Sequence, residues 1–286
     1  VDADGKVTFT PDKQFKGETP ELELTRTDAN GTPVTVKYQA VVKEVTPTGT
    51  SATSTGPQGV PQTGTPIFAG GDPLVPIDET VGATFADGNK EKVIPGQGTY
   101  TIAPDGSVTF TPDKQFVGKP DSVTVKRVDK NGTPVTATYS PEFVKVTPTG
   151  KDASSTNIKG HVQTGKPVFE AGDPLVSIDE TIAPSFEDGS KEKTIPGQGT
   201  YTISPDGTVT FTPEAGFLGK GSGVTLVRRD ENGTSVTARY VPTVVEPSTS
   251  QDSVSSGRKG QAQTGTPTFE GAIDHAVAPT FADGST

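Results

Sequence analysis

The side chains in this sequence that could carry out chemistry show no distinctive catalytic or metal-binding pattern. Cysteine is absent, which excludes disulfides, thiol catalysis and cysteine-ligated zinc. The two histidines, His161 and His275, do not recur where the sequence repeats, since His161 aligns with Val60 and Gln261. We interpret both as solvated residues. The sequence thus predicts no catalytic residue, no cofactor-binding residue, no metal ligand and no enzymatic activity.

The start of the chain resembles a calcium-binding loop. Asp2 and Asp4 precede Gly5 in the spacing with which such a loop begins. The matching stretches at 103–106 and 204–207 keep the Asp-Gly pair but lack the first carboxylate. We therefore interpret all three stretches as turns.

Two short motifs point to covalent modification. Val60–Gly64 is similar to the motif that sortases recognise, but no apolar stretch or basic tail follows it, and the other copies lack its proline. Asn30, Asn131 and Asn232 each begin an Asn-Gly-Thr sequon for N-glycosylation. The same Asn-Gly pairs suit tight turns, where they supply positive φ angles, and we prefer that explanation.

A covalent cross-link inside each domain is a further alternative. Lysine, asparagine and acidic residues all occur in every repeat. Some surface β-domains without cysteine carry a buried Lys–Asn or Lys–Asp cross-link beside an acidic residue. The sequence does not pair the candidates, and most of the lysines stand beside predicted turns.

The elements that carry these residues are set by an internal repeat. Tyr100–Asp113 reads YTIAPDGSVTFTPD, Tyr201–Glu214 reads YTISPDGTVTFTPE, and Val1–Asp12 matches the same phrase 101 residues earlier. This period fits a small domain rather than a solenoid turn of roughly 20–50 residues. We predict a C-terminal half repeat at 1–47, complete repeats at 48–149 and 150–247, and an N-terminal half repeat at 248–286.

Each repeat contains two predicted β-hairpins. The first surrounds Pro104-Asp105-Gly106, and the second surrounds Asn131-Gly132; both are flanked by alternating apolar and polar residues. A further strand is predicted at Phe143–Val146, after Pro141. No stretch has a 3.6-residue period. The predicted fold class is all-β, a tandem array of β-sandwich domains of about 100 residues, each with about seven or eight short strands.

Composition separates the linkers from the predicted core. Segments 46–59, 147–160 and 247–260 are rich in Ser, Thr, Gly and Pro, which is typical of linkers. Alternation in the hairpins predicts the core of the second repeat, namely Phe85, Tyr100, Ile102, Val108, Phe110, Phe116, Val123, Val125, Val135 and Tyr139.

Charge and hydropathy narrow the range of partners. The net charge is −10, which argues against nucleic acid and anionic membranes as partners. No run of about 18 apolar residues could span a bilayer. The chain opens in a strand pattern without a signal peptide, so we expect a segment of a longer protein.

Five recurring phrases together resemble the CshA-type fibril repeat, and the resemblance covers essentially all 286 residues. In the third copy these phrases occupy Gln163–Phe169, Phe186–Gly189, Ile195–Ile203, Asp206–Pro213 and Asn232–Ala238. The last copy departs from the pattern, because it lacks the Gly-Asp-Pro-Leu-Val found at 172–176.

The resemblance implies a streptococcal-type surface adhesin that is secreted and anchored to the cell wall, with the anchor outside this segment. It further implies a structural stalk, in which neighbouring repeats of one chain project a distal adhesive domain from the cell wall. Host matrix proteins or other bacteria would be partners of the full-length protein. The adhesive residues of the family belong to an N-terminal region that has no counterpart here.

Three alternatives remain open. The repeats themselves could bind host protein or glycan or mediate cell–cell association, or they could be spacers in a secreted enzyme. In addition, the half repeat 248–286 could be completed by 1–47 of another chain, which gives head-to-tail self-association.

Overall fold

The computed structural model describes residues 1–271 and 273–283, which form strands and turns without a helix. The first 47 residues contain β1 (Gly17–Glu18), β2 (Leu22–Thr27), β3 (Pro33–Tyr38) and β4 (Val41–Val42). The strands of the second repeat are β5 (Thr48–Thr50), β6 (Ala52–Pro57), β7 (Gln62–Gly64), β8 (Ile67–Ala69), β9 (Thr84–Phe85), β10 (Glu91–Ile94), β11 (Gly98–Ile102), β12 (Val108–Pro112), β13 (Val123–Val128) and β14 (Pro134–Val144).

The remaining strands belong to the third repeat and to the segment that follows it. They are β15 (Thr149–Lys151), β16 (Ala153–Ile158), β17 (Gln163–Gly165), β18 (Val168–Glu170), β19 (Ser185–Phe186), β20 (Glu192–Ile195), β21 (Gly199–Ile203), β22 (Val209–Pro213), β23 (Gly219–Lys220), β24 (Val224–Arg229), β25 (Ser235–Val245), β26 (Thr249–Gln251) and β27 (Thr268–Glu270). The chain divides into two compact units, Val1–Lys145 and Val146–Thr286.

The second repeat is a sandwich of two four-stranded sheets, which confirms the predicted all-β fold class. One sheet has the strand order β10-β11-β12-β7, and the other has the order β6-β14-β13-β9. Every pairing in the two sheets is antiparallel except that of β6 with β14, which is parallel. A small separate pair, β5 with β8, lies at the start of the repeat.

Both predicted hairpins form, but their turns differ from the prediction in one detail. Gly106 N–H donates to Ala103 O (3.0 Å), and Gly132 N–H donates to Asp129 O (2.9 Å). Among the described residues only glycines have positive φ, including 92° at Gly106 and 84° at Gly132. Asn131 therefore does not adopt the left-handed conformation that the sequence predicts for it, and the glycine alone supplies the unusual angle.

The core of the second repeat lies between the two sheets and matches the prediction closely. Of the ten predicted residues, nine are buried and Phe116 is half-buried against the others. The rings of Tyr100 and Phe110 face each other across β11 and β12 with centroids 4.3 Å apart. Such aromatic contacts add to the stability that burial of apolar area supplies.

The linker prediction is wrong for residues 48–57 and 149–158. These residues form β5 with β6 and β15 with β16, and β6 and β16 are edge strands of the main sheets. The Ser- and Thr-rich composition reflects exposed alternate positions on an edge strand, whose other positions are half-buried.

A separate strand at Phe143–Val146 was also predicted wrongly, because β14 runs unbroken through Pro141. Phe143 exchanges two backbone hydrogen bonds with Gly118 (2.8 and 2.9 Å). Alternate residues of a strand direct their backbone groups to the same side, so the nitrogen of Pro141 also faces that side. There it lies beyond the last β13–β14 residue pair, Val123 with Tyr139, so the missing N–H breaks no ladder bond.

The third repeat, in the second unit, has the same architecture. Its sheets have the orders β17-β22-β21-β20 and β16-β25-β24-β19, and β23 pairs with the far end of β25. The pairing of β16 with β25 is again parallel. The buried cluster repeats that of the second repeat, with Tyr201 and Phe211 in contact at 4.5 Å.

The terminal segments contain strand pairs without a core of this kind. In residues 1–47, β2 pairs with β3 and β1 with β4. Leu22 is 53% exposed, whereas the corresponding Val123 is 1% exposed. In the last segment β26 pairs with β27. The predicted half repeat 248–286 lies within the described residues except at positions 272 and 284–286.

Candidate functional site

The most elaborate polar arrangement in the second repeat joins its first long strand to its last, and we call it the strand clasp. It consists of Ser54, Gln62, Gly64, Tyr139 and Glu142. The hydroxyls of Ser54 and Tyr139 lie 2.7 Å apart, and the side-chain amide of Gln62 donates to the backbone oxygen of Glu142 (2.8 Å). Gly64 lies against the ring of Tyr139 so closely that a Cβ atom there would be 2.2 Å from Cε2.

The third repeat contains an equivalent clasp. Ser155 and Tyr240 share a hydroxyl hydrogen bond of 2.6 Å, and Gln163 donates to the backbone oxygen of Thr243 (3.0 Å). Gly165 lies under the ring of Tyr240 in the same way as Gly64 under Tyr139. These contacts explain why the phrase Gln-Thr-Gly recurs. The glutamine donates a hydrogen bond to a backbone oxygen of the last strand, and the glycine, which has no side chain, leaves space for the buried tyrosine ring.

Burial of the clasp tyrosines changes their acidity. Desolvation raises the pKa of Tyr139, and the hydrogen bond with Ser54 opposes part of that rise. The same balance, with Ser155, holds for the pKa of Tyr240. The two phenols therefore remain neutral hydrogen-bonding groups, which suits a structural role rather than acid–base catalysis.

A buried arginine ties loops to the sheet near the first hairpin turn. The side chain of Arg127 is 4% exposed and pairs at 2.7 Å with Glu79, which is 75% exposed. Arg127 also donates to the backbone oxygen of Asp105 (3.3 Å). Arg228 and Glu180 form the same pair in the third repeat. Because one partner is solvated, we interpret the pair as a structural link between loop and strand.

The predicted turn at the start of the chain is present. Oδ1 of Asp2 accepts hydrogen bonds from the backbone N–H groups of Asp4 (3.1 Å) and Lys6 (2.8 Å). His161 and His275 are both exposed. Across residues 1–271 and 273–283, no three His, Asp or Glu side chains are grouped so that they could hold a metal ion.

The sequons and the sortase-like phrase lie in ordered local structure. Oδ1 of Asp129 accepts hydrogen bonds from the backbone of Asn131 (2.9 Å) and Thr133 (2.8 Å), which fixes the Asn-Gly turn. Val60–Gly64 overlaps β7, where Gln62 is buried. Each of these motifs therefore has a structural explanation in the fold.

The lysines of the described residues lack the full burial that the proposed internal cross-link calls for. Every lysine in the described part of the chain is at least partly exposed, including Lys159, which is half-buried beside Glu246. A buried Lys–Asn or Lys–Asp pair is therefore not a feature of the described residues. The part of the chain that the structure describes also has no helix of the length and apolar character needed to cross a bilayer.

The segment leading into each repeat is held by backbone contacts. A Cβ atom at Gly71 would lie 2.5 Å from the backbone oxygen of Thr46, and one at Gly172 would lie 2.5 Å from that of Thr147. The adjoining β5 and β15 pair with β8 and β18. The connecting residues are thus part of the repeat that follows them.

Comparison with known families agrees with this repeated architecture. The family model for the repetitive domain of the surface adhesin CshA matches residues 1–42, 44–143 and 145–244. The chain belongs to the CshA repeat family. Membership places the chain among the repeats of cell-surface adhesins.

Solved structures similar to the chain include a member of the CshA repeat family and more distant tandem proteins. Repeat domain 13 of the fibrillar adhesin CshA from Streptococcus gordonii is 88% identical, covering 26% of this chain and 94% of that chain with a TM-score of 0.16. A titin tandem is 10% identical over 78% of this chain and 74% of that chain, with a TM-score of 0.33. A segment of mouse cadherin-23 is 11% identical over 79% and 74%, with a TM-score of 0.30. No curated protein sequence matches the chain.

Proposed function

We propose that this chain is a stalk segment of a cell-wall-anchored fibrillar adhesin. In this role its β repeats project a distal adhesive domain from the cell wall and carry out no catalysis. The observation that supports the proposal is that the residues connecting one repeat to the next are few and structurally ordered. Only residues 145–148 lie between β14 and β15. Within this connection, the backbone of Thr147 lies so close to Gly172 that a Cβ atom at Gly172 would be 2.5 Å from the Thr147 oxygen. A stalk requires short connections of this kind, because flexible coils lose reach as they fluctuate.

The surface composition suits a fibril exposed to solvent. The net charge of −10 favours solubility and repulsion between neighbouring fibrils. The main partners in this proposal are the neighbouring repeats of the same chain. Host matrix proteins or other bacteria are engaged through other parts of the full-length protein.

Small-angle X-ray scattering tests the stalk proposal. We expect the maximum dimension to grow by a fixed increment of about 35–50 Å for each added repeat, given a radius of gyration of about 13 Å for a 100-residue domain. A two-repeat version provides the comparison. Growth that falls below this increment and follows the square root of chain length would reject the stalk and indicate tethered modules.

A second candidate function is binding by the repeats themselves, and one observation favours it. Leu74 is 90% exposed, and Leu175 is exposed at the matching position of the third repeat. Both lie on tight turns held by hydrogen bonds to Asp72 and Asp173 (2.8 and 2.9 Å). Replacing both leucines with aspartate should abolish cell or matrix binding by the immobilised chain if the repeats bind. Unchanged capture by the variant would reject this function.

Head-to-tail association remains a third proposal. Several exposed apolar residues of 1–47, namely Leu22, Val34 and Val36, correspond to the buried Val123, Val135 and Ala137 of the second repeat. An N-terminal half repeat from another copy would cover them. Light scattering that detects only monomer at all concentrations would contradict this proposal.

A further inference from the structure

The topology of each complete repeat determines how it responds to tension. Residues of β6 pair in parallel with those of β14, from Ala52 with Tyr139 to Pro57 with Val144. The chain enters the repeat before Ala52 and leaves it after Val144. These two points lie at opposite ends of the ladder, so tension between them slides the two strands lengthwise.

Lengthwise sliding loads the ladder in its strongest direction. The hydrogen bonds of a parallel pair are evenly spaced and connect the two strands, so sliding strains the bonds along all six residue pairs together. Two contacts beyond the ladder oppose the same motion: Gln58 N–H donates to Val144 O (2.8 Å), and Gln62 donates to Glu142 O. The hydroxyl pair of Ser54 and Tyr139 adds a third contact.

The third repeat has the same arrangement. Six pairs join β16 to β25, from Ala153 with Tyr240 to Ile158 with Val245. Lys159 N–H donates to Val245 O (2.9 Å). One parallel pair with its clasp, in an otherwise antiparallel sandwich, therefore recurs in both complete repeats.

We propose that the β6–β14 pair and the β16–β25 pair, each with its clasp, are mechanical clamps that keep a repeat folded while tension passes along the chain. The inference rests on the proposed stalk function for its purpose. Its physical basis is the direction of loading, which is independent of whether the chain is elongated in solution.

The direction of pulling tests the clamp without weakening it. The chain has no cysteine, so pairs of introduced cysteines can carry the handles for single-molecule force spectroscopy. Handles at T50C and K145C lie at opposite ends of the β6–β14 ladder, so they load it lengthwise. Handles at T50C and T136C lie at the same end of the ladder, so they separate the two strands one residue pair at a time. We expect at least about a twofold higher unfolding force in the lengthwise direction, because bonds loaded together share the tension. Equal forces in both directions would overturn the proposal.

Substitution in β6 provides a second test. The N–H of Gln58 faces β14, so by alternation the N–H of Ser54 does too, while Thr55 and the native Pro57 face away. Ser54→Pro should lower the lengthwise unfolding force, whereas Thr55→Pro places the same ring where no ladder bond is lost. Ser54→Ala separates loss of the hydroxyl from loss of the N–H. An equal effect of the two proline variants would contradict the clamp.

The two proposals fail in different ways. A chain that scatters as a flexible coil but resists lengthwise force rejects the stalk and keeps the clamp. A chain that is elongated but unfolds at the same force in both directions rejects the clamp and keeps the stalk.

Discussion

Replacing Gly64 with alanine tests whether the clasp holds the sheets of the second repeat together. A Cβ atom at Gly64 would lie 2.2 Å from Cε2 and 2.5 Å from Cδ2 of Tyr139. Non-bonded carbon atoms pack best at about 3.5–4.0 Å. The added methyl group therefore has to displace either the ring or strand β7 by more than about 1 Å.

Neither group can move freely, because β7 is paired with β12 and the ring is held on several sides. Tyr139 is fully buried, its ring lies edge-on to that of Tyr100 at 6.3 Å, and its hydroxyl bonds with Ser54. Overpacking of this kind costs about 1–3 kcal/mol of unfolding free energy. For a domain of this size, each kcal/mol lowers the Tm by roughly 4–8 °C.

Thermal unfolding followed by tyrosine fluorescence measures the effect. Gly82→Ala is a matched control in the same repeat, because its Cβ would meet Pro104 at an ordinary 3.7 Å. Gly165→Ala should lower the Tm of the third repeat in the same way, since its Cβ would lie 2.2 Å from Tyr240. If Gly64→Ala unfolds at the same temperature as Gly82→Ala, the close approach carries no stability and the reasoning fails.

Three further predictions follow from burial and charge. Phe110→Ala should cost about 3–5 kcal/mol, because the ring is fully buried; urea unfolding that matches the wild type would disprove the core assignment. Burial raises the pKa of Tyr100, Tyr139, Tyr201 and Tyr240, so stability should be complete below pH about 10 and fall as pH rises above it. Tyrosinate absorbance from more than one of the five tyrosines before the circular dichroism signal changes would contradict this, since only Tyr38 lies outside the two buried cores. A side-chain hydrogen bond from Ser204 lowers the pKa of Asp206, with further bonds from Thr208 and Lys166, so its contribution should be present above pH about 4 and be lost as pH falls. Asp206→Asn should weaken the acid sensitivity of unfolding, and an unchanged acid profile would contradict that account.

Local sequence predicted those parts of the fold that neighbouring residues determine. The Asp105-Gly106 and Asn131-Gly132 pairs fix the two hairpins, because a turn and two alternating strands are contained in one short stretch. The buried positions of β11, β12 and β13 follow from the same alternation. The turn at Asp2 was also predictable, because comparison of the copies removed the calcium interpretation.

Long-range pairing was not predictable from local patterns. Strand β6 has the composition of a linker, and only its partner β14, 85 residues away at Ser54 and Tyr139, makes it a strand. Pro141 indicated a break because the sequence does not reveal that its nitrogen faces a gap in the sheet. The roles of Gln62 and Gly64 were missed as well, although the recurrence of Gln-Thr-Gly was the signal that could have led to them.

The parallel pairing also has a consequence for how the chain folds. A repeat cannot complete its second sheet until its last strand has been made, and such distant contacts slow folding. Ser155 follows Tyr139 closely in the chain, whereas its own partner Tyr240 is 85 residues away. Since the copies are so similar, β16 could pair with β14 of the preceding repeat if that strand were still free. During synthesis from the N-terminus, β6 can pair with β14 before β16 has been made. Newly made chains should therefore avoid the exchange of strands between repeats that chains refolded from denaturant can undergo.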